Sequence, residues 1–358
     1  MNDRDAFEES RVERSAHPVR AMRAEEAEHV VALAVRAPSL HNTQPWAFTL
    51  RRGALELRAD RSRQLPGTDP DGRQLVLSCG AALFGVRLGV RALGHLPQVE
   101  LVPNDWDPDL LARVHLGSAA PADAEAVSLV NAVARRRSLR SGFAAGDVAE
   151  GTLAAARQAA AGERTVLLVL TEPTRRMAVA ELVAAADRAQ RASTEVVREL
   201  AQWTSRSALD ADGLPPGAWP HHPPTRSPDE FPVRDFAARE VAVASRPGAK
   251  PQENGSPAAA PAGHPLAAAL LTRGDTPVDW LRAGQALHRV LLTVACAGVQ
   301  ASLHSQPFGL LGLRRLVREE LTGGAEPEML LQFGHPVGAD AARPATPRRP
   351  VRDVFTVG

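Results

Sequence analysis

A chain of 358 residues exceeds the roughly 150 residues of one folding unit, and with 44% hydrophobic and 23% charged residues it can bury a large core. Its 42 basic and 41 acidic residues leave a net charge of +1 with no dense basic stripe, which argues against a nucleic-acid-binding face. Cys79 and Cys296 lack disulfide or zinc spacing, residues 1–16 are charged without an apolar leader core, and no run is read as reaching the ~18 apolar residues that span a bilayer. A cytoplasmic setting with reduced thiols fits these features.

Residues 24–37 carry Val30, Val31, Leu33, Ala34 and Val35 on a helical pattern that must stop at Pro38, because proline pushes the residue before it out of the α region. Residues 48–50 and 54–57 flank Arg51, Arg52 and Gly53 as a β-hairpin. Turn chemistry over 69–72 precedes a long apolar helix over 74–93. A break over 117–123 leads to a helix bearing Val127, Val130 and Val133, and residues 165–170 and 329–333 read as short buried strands.

Residues 203–265 hold twelve prolines and no sustained period. A stretch of this kind is a lid or a linker. Trp203, Trp219, Phe231 and Phe236 favour a lid that covers an apolar pocket, while 245–263, without aromatics, reads as mobile.

The chain also echoes itself. Gly80, Ala82, Leu83, Val86, Leu88, Val90 and Gly94 recur 204 residues later as Gly284, Ala286, Leu287, Val290, Leu292, Val294 and Gly298. Shared helix composition is one account; duplication of an α+β unit around a buried central helix is the other. On the second account the chain divides into a flexible tail (1–19), a first half (20–120) and a second half (121–358) containing the insertion.

Three segments carry chemistry. The run Ala37-Pro38-Ser39-Leu40-His41-Asn42-Thr43-Gln44-Pro45-Trp46 lies between a helix end and a strand, where a turn can aim Ser39, Asn42 and Gln44 at a planar polar ligand or simply close the helix. In Arg135-Arg136-Arg137-Ser138-Leu139-Arg140, an extended backbone would point Arg136, Ser138 and Arg140 the same way, and guanidinium forks suit phosphate oxygens. A solvated basic face is the alternative. In Thr346-Pro347-Arg348-Arg349-Pro350 the prolines hold the chain extended and fix the direction of the arginines, unless the tail is disordered. His221, His222, His264 and His335 have no metal spacing.

Together with 59–65 and 69–73, these segments resemble the nitroreductase superfamily, in particular its actinobacterial Acg-like branch. The resemblance runs from about residue 20 to 358 and weakens inside the insertion. It implies an α+β nitroreductase-like fold in which two tandem repeats form an intrachain pseudo-dimer with a Pro-rich lid, and one flavin mononucleotide (FMN) per chain. It further implies that Arg136, Ser138, Arg140 and Arg348 take the phosphate, with Thr346 and Arg349 beside them, while Pro38, Ser39, Asn42 and Gln44 take the ring side. Ser305 and Gln306, in a partial copy of the ring motif, would approach flavin N5 or form a buried loop. No catalytic side chain is required.

The activity implied is that of an FMN-dependent NAD(P)H oxidoreductase, with NAD(P)H as transient co-substrate and a nitroaromatic or quinone as acceptor. No Gly-rich dinucleotide loop opens a βαβ unit. The rival reading is a non-catalytic FMN-sequestering protein whose lid fills the nicotinamide face; a specialised oxidase or dehydrogenase is a third. A monomer is expected, since the fused halves supply the family's dimer interface, with further association of whole chains left open.

Overall fold

The computed structural model describes residues 19–140, 142–204, 210–215, 231, 265–337 and 346–358. Trp219, Phe236, His221, His222, His264, the tail before residue 19 and the stretch 245–263 lie outside the described residues.

Helix α1 (Ala24–Ala34) stops short of Pro38, and residues 35–37 unwind through turn bonds such as Ala37 N–H to the Ala34 carbonyl. Strands β1 (Trp46–Arg51) and β2 (Ala54–Ala59) pair antiparallel across Arg52 and Gly53. Both turn residues have positive φ, 51° and 75°, the conformation of the two-residue hairpin turn whose twist matches the strands. Asp69 opens α2 (Arg73–Ala92) by accepting from the Gln74 and Leu75 amides at 3.0 and 2.8 Å. Strands β3 (His95–Leu101) and β4 (Leu110–Ala119) follow. Gly117 therefore lies inside a strand, not in the expected break, because the Leu96 carbonyl comes too close there for a Cβ.

Asp123 caps α3 (Ala124–Val133), on which Val127 is 50% exposed while Val133 is buried. Then come α4 (Glu150–Ala161), β5 (Val166–Val169), α5 (Pro173–Ala192) and α6 (Thr194–Trp203). After the Pro-rich stretch run β6 (Leu266–Thr272), α7 (Pro277–Cys296), β7 (Gln300–His304), α8 (Leu311–Glu320), β8 (Glu326–Gly334) and β9 (Phe355–Val357).

The strands form two sheets, ordered β3-β4-β2-β1-β9 and β5-β6-β8-β7. Replacing β1, β2, β3 and β4 by β5, β6, β7 and β8 turns the first order into the second, and every pair among these eight strands is antiparallel. Each sheet has its long helix, α2 or α7, between its second and third strands in chain order. By length and composition α2 could cross a membrane, contrary to the sequence expectation, but 83% of its most apolar window is buried within the protein.

The two long helices touch backbone to backbone. A Cβ on Gly284 would lie 1.9 Å from the Leu77 carbonyl oxygen, and one on Gly80 would lie 2.4 Å from that of Leu281. Both glycines and both leucines are separated by 204 residues, so the contact is reciprocal. Phe84 and His288, at the same separation, meet edge to face at 5.7 Å. Arg73, almost fully buried, ties the start of α2 to the second sheet through the Pro327 carbonyl (2.8 Å), Glu328 (2.9 Å) and Asp275 (3.0 Å).

Gly284→Ala should destabilise the fold by about 3 kcal/mol or more, because the added methyl meets rigid backbone. Gly151→Ala, where no atom lies within 4 Å of the added Cβ, should be near neutral. Equal melting temperatures for the two variants would refute the close crossing.

Candidate functional site

Two hydrogen-bonded seams bring the three sequence segments together. Arg135 and Arg136 close the end of α3 in a turn, both N–H groups donating to the Ala132 carbonyl, and residues 137–139 then run beside the start of β7: Ser138 bridges Ala301, Leu139 N–H donates to the Ala301 carbonyl at 2.8 Å, and the Gln300 side chain bonds both Arg137 N–H and the Arg135 carbonyl. Arg136 is buried and reaches Ser138 Oγ (3.4 Å) and the Arg36 carbonyl (3.5 Å). Arg348 donates to the Ala37 carbonyl (3.2 Å) and to Thr346 Oγ1 (2.8 Å). The end of α1, the arginine run and the C-terminal segment thus share one place.

That place holds unneutralised positive charge. Among the described residues no carboxylate pairs with Arg136 or Arg348, and the Nε of each is buried without a partner. Burial, with Arg137, Arg36 and Arg140 adding repulsion, pushes the Arg136 guanidinium down to about 10. Burial likewise lowers Arg140 to about 10. Arg348 falls further, through burial and then through Arg136, Arg36, Arg140 and Arg137. Other core arginines have acids: Arg87 and Arg289 share Glu163, and Arg73 has Glu328. A buried cation without counter-charge is costly, so Arg136 and Arg348 are groups that an anion could stabilise. Sequence reasoning did not single out Arg36, which stands in no motif.

His288 on α7 is wholly buried beside the cluster. Burial, then the charges of Arg136 and Arg348, push its pKa down to about 3. It is therefore neutral at working pH.

The ring-side motif is placed differently from the expectation. Ser39 Oγ accepts from Gln44 N–H at 3.0 Å and closes a tight loop in which His41, Asn42 and Gln44 have positive φ. Gln44 is fully buried: its Nε2 donates to the Ala211 carbonyl (2.9 Å) and its Oε1 accepts from Arg349 N–H (2.9 Å). Asn42 Nδ2 donates to the Gly213 and Pro347 carbonyls at 3.0 and 3.1 Å. These amides hold protein backbone instead of standing free for a planar ligand, because a buried amide must find partners and two distant segments supply them. Asn42 Oδ1 alone is buried without one. Pro38 is buried at the head of this loop.

Residues 211–213 thereby lie as a strap across the loop. Asp212 anchors the strap to Arg63 with two bonds of 2.8 Å; Arg63 also donates to the Thr43 carbonyl and lies 5.6 Å from the Trp203 ring centre. A cavity of about 480 Å³ opens beside it, lined by Gln64, Pro66, Arg198, Glu199, Trp203 and Asp212. At the far end of β7 from the arginines, about 13 Å away at ~3.3 Å per residue, Ser305 and Gln306 are buried; the Gln306 carbonyl accepts from Gln190 Nε2 at 3.4 Å. Arg349 turns from the cluster to the Asp353 carbonyl at 2.7 Å.

No family model matches the chain. A Mycobacterium tuberculosis protein named provisionally as an NAD(P)H nitroreductase is 36% identical over 335 residues, covering 92% of this chain and 91% of that protein. The chain belongs to the nitroreductase family. Its likeness extends to the M. tuberculosis nitroreductase-type protein Acg, at 30% identity over 91% of this chain and 94% of Acg. Among solved structures, the FMN-bound nitroreductase of Desulfitobacterium hafniense is 12% identical and covers 63% of this nitroreductase-family chain and 95% of its own, with a TM-score of 0.36. NfnB of Mycobacterium smegmatis in complex with NADPH is 18% identical and covers 64% and 96%, also with a TM-score of 0.36.

If the arginines await an anion, phosphate should raise the melting temperature of the ligand-free protein, as any ligand of the folded state does. Arg136→Met should abolish that response while melting no lower than wild type without phosphate, since it removes an unpaired buried charge. A variant that still responds fully to phosphate would place the anion elsewhere.

Proposed function

We propose that this chain binds FMN and acts as an NAD(P)H-dependent oxidoreductase of the nitroreductase type, with nitroaromatic or quinone-like acceptors. The observation that carries the reading is the pair Arg136 and Arg348, each with a buried Nε that has no partner and with no carboxylate among the described residues, where α1, the end of α3 and residues 346–349 meet. Arg136, Ser138, Arg140 and Arg348 would hold the phosphate, with Thr346 orienting Arg348. Pro38 and Ser39 would form the ring-side wall. Asn42 and Gln44 would shape that wall by fixing the strap and the tail, and Ser305 and Gln306 would border the ring from the end of β7. When bound, the flavin supplies hydride transfer through N5. The residues of this chain bind, orient and exclude water.

The proposal includes a duplication: residues 20–120 and 121–358 are two copies fused into a pseudo-dimer, with the composite site between them. The 204-residue echo, the shared strand order and the reciprocal glycine contact support it. Only the second copy has the arginine motif and only the first has the ring loop, so one FMN per monomeric chain follows.

A second reading, flavin sequestration, is favoured by the strap. The 203–265 insertion would be a lid, and its residues 211–213, held by Asn42, Gln44 and Arg63, would close the ring face to nicotinamide.

Purified protein should be yellow and carry one FMN per chain, and anaerobic NADPH or NADH should bleach it. Arg140→Ala should lose flavin, since a charge-assisted phosphate bond contributes ~1.5 to 3 kcal/mol. If wild type stays oxidised and Asp212→Ala bleaches, the strap is a cover and sequestration is the function. Protein that takes up no FMN overturns both readings.

A further inference from the structure

One buried group in the cation cluster has no part in holding an anion. His288 Nδ1 lies 2.7 Å from the Ala81 carbonyl oxygen. A carbonyl only accepts, so Nδ1 carries the hydrogen, and in the neutral ring Nε2 is left with a lone pair. That Nε2 is fully buried and has no partner. His288 bonds Ala81 and packs on Phe84, and one residue further on, at Gly85, α2 meets Leu33 and Ala34 at the end of α1, whose following carbonyls at Arg36 and Ala37 hold Arg136 and Arg348. Their Nε–H groups are unpartnered too, so His288 is not their acceptor in this structure. A site otherwise built of donors for an anion thus contains one aromatic acceptor.

We infer that His288 is a specificity-determining residue: its Nε2 accepts a hydrogen bond from a hydroxyl on the bound phosphate monoester, so the site takes a phosphorylated polyol chain in preference to a bare anion. This rests on the flavin reading above, because the ribityl chain of FMN brings both phosphate and hydroxyls. A dianion without a proton, such as sulfate, satisfies the arginines and leaves Nε2 empty. The chain contains its own comparison. Position 84, 204 residues earlier on α2, is Phe84, with no acceptor, and the first copy is the one without an arginine motif. The histidine accompanies the copy that carries the anion site.

The test uses wild type labelled with ¹⁵N-histidine, titrated with FMN and separately with sodium sulfate. FMN should move the Nε2 resonance upfield, as acceptance of a hydrogen bond does, with Nδ1 still protonated; sulfate should leave Nε2 in place. His288→Phe, which installs the residue α2 already packs at the matching position, should weaken FMN binding about tenfold, the scale of one hydrogen bond, with sulfate affinity unchanged. His288→Gln, which restores an acceptor oxygen, should recover much of the loss. An Nε2 signal that FMN does not shift, or His288→Phe protein that holds FMN as tightly as wild type, overturns the inference and leaves the flavin reading standing. Wild type that takes up no FMN overturns the flavin reading and this inference with it. Should His288→Phe not fold, the labelled wild-type titration decides by itself.

Discussion

The architecture depends on two helices that approach until their backbones touch. Side chains of ordinary size hold packed helices 8–10 Å apart. At Gly80 and Gly284 nothing stands between α2 and α7. This joins the helices of two sheets with the same strand order, and the end of α1 meets a segment that lies a hundred residues further on. A bulkier residue at either position would separate the segments that frame the cation cluster. The packing constraint and the chemistry are therefore the same constraint seen at two scales.

Around this crossing the arginines divide by their partners. Arg73 and Arg87 on α2 fasten the first sheet system to the second through Glu328, Asp275 and Glu163, and Arg289 on α7 shares Glu163, all three acids being partly or wholly withdrawn from water. These are structural ties, since their charges cancel locally. Arg136 and Arg348 are fixed by backbone carbonyls, which orient a guanidinium without neutralising it. Carbonyl anchoring preorganises the cluster, so little reorganisation would be left for the anion proposed to bind there. The same logic leaves His288 neutral, for a second charge of the same sign would be expelled from such surroundings.

Much of this was legible in the sequence where a period or a turn code is local. The hairpin at Arg52 and Gly53 and the helix after Asp69 follow from neighbours a few residues apart, whereas the alternation expected of Arg136, Ser138 and Arg140 starts from a residue still in the turn that ends α3. Family membership was legible as well, through the Pro38 to Trp46 run. The roles of Asn42 and Gln44 were not, because their partners lie 171, 305 and 167 residues away, and no local rule says which carbonyl will reach a buried amide. Arg36 and His288 stand in no motif and were not singled out. Only tertiary contact distinguishes them. Strand β6 was hidden by the Pro-rich stretch just before it, and its Leu-Ala pattern reads equally well as helix.

Strand β9 lies parallel to β1, pairing Phe48 with Phe355. The hydrogen-bonding edge of an early strand is thus satisfied by residues the ribosome adds some three hundred positions later. During synthesis the first sheet must wait with an open edge, the state in which strands are prone to pair with the wrong neighbour. The segment that ends this exposure also carries Arg348 to the cation cluster. A nascent chain therefore completes its sheet and its cation cluster in one late event, and an intermediate halted before that event would lack both.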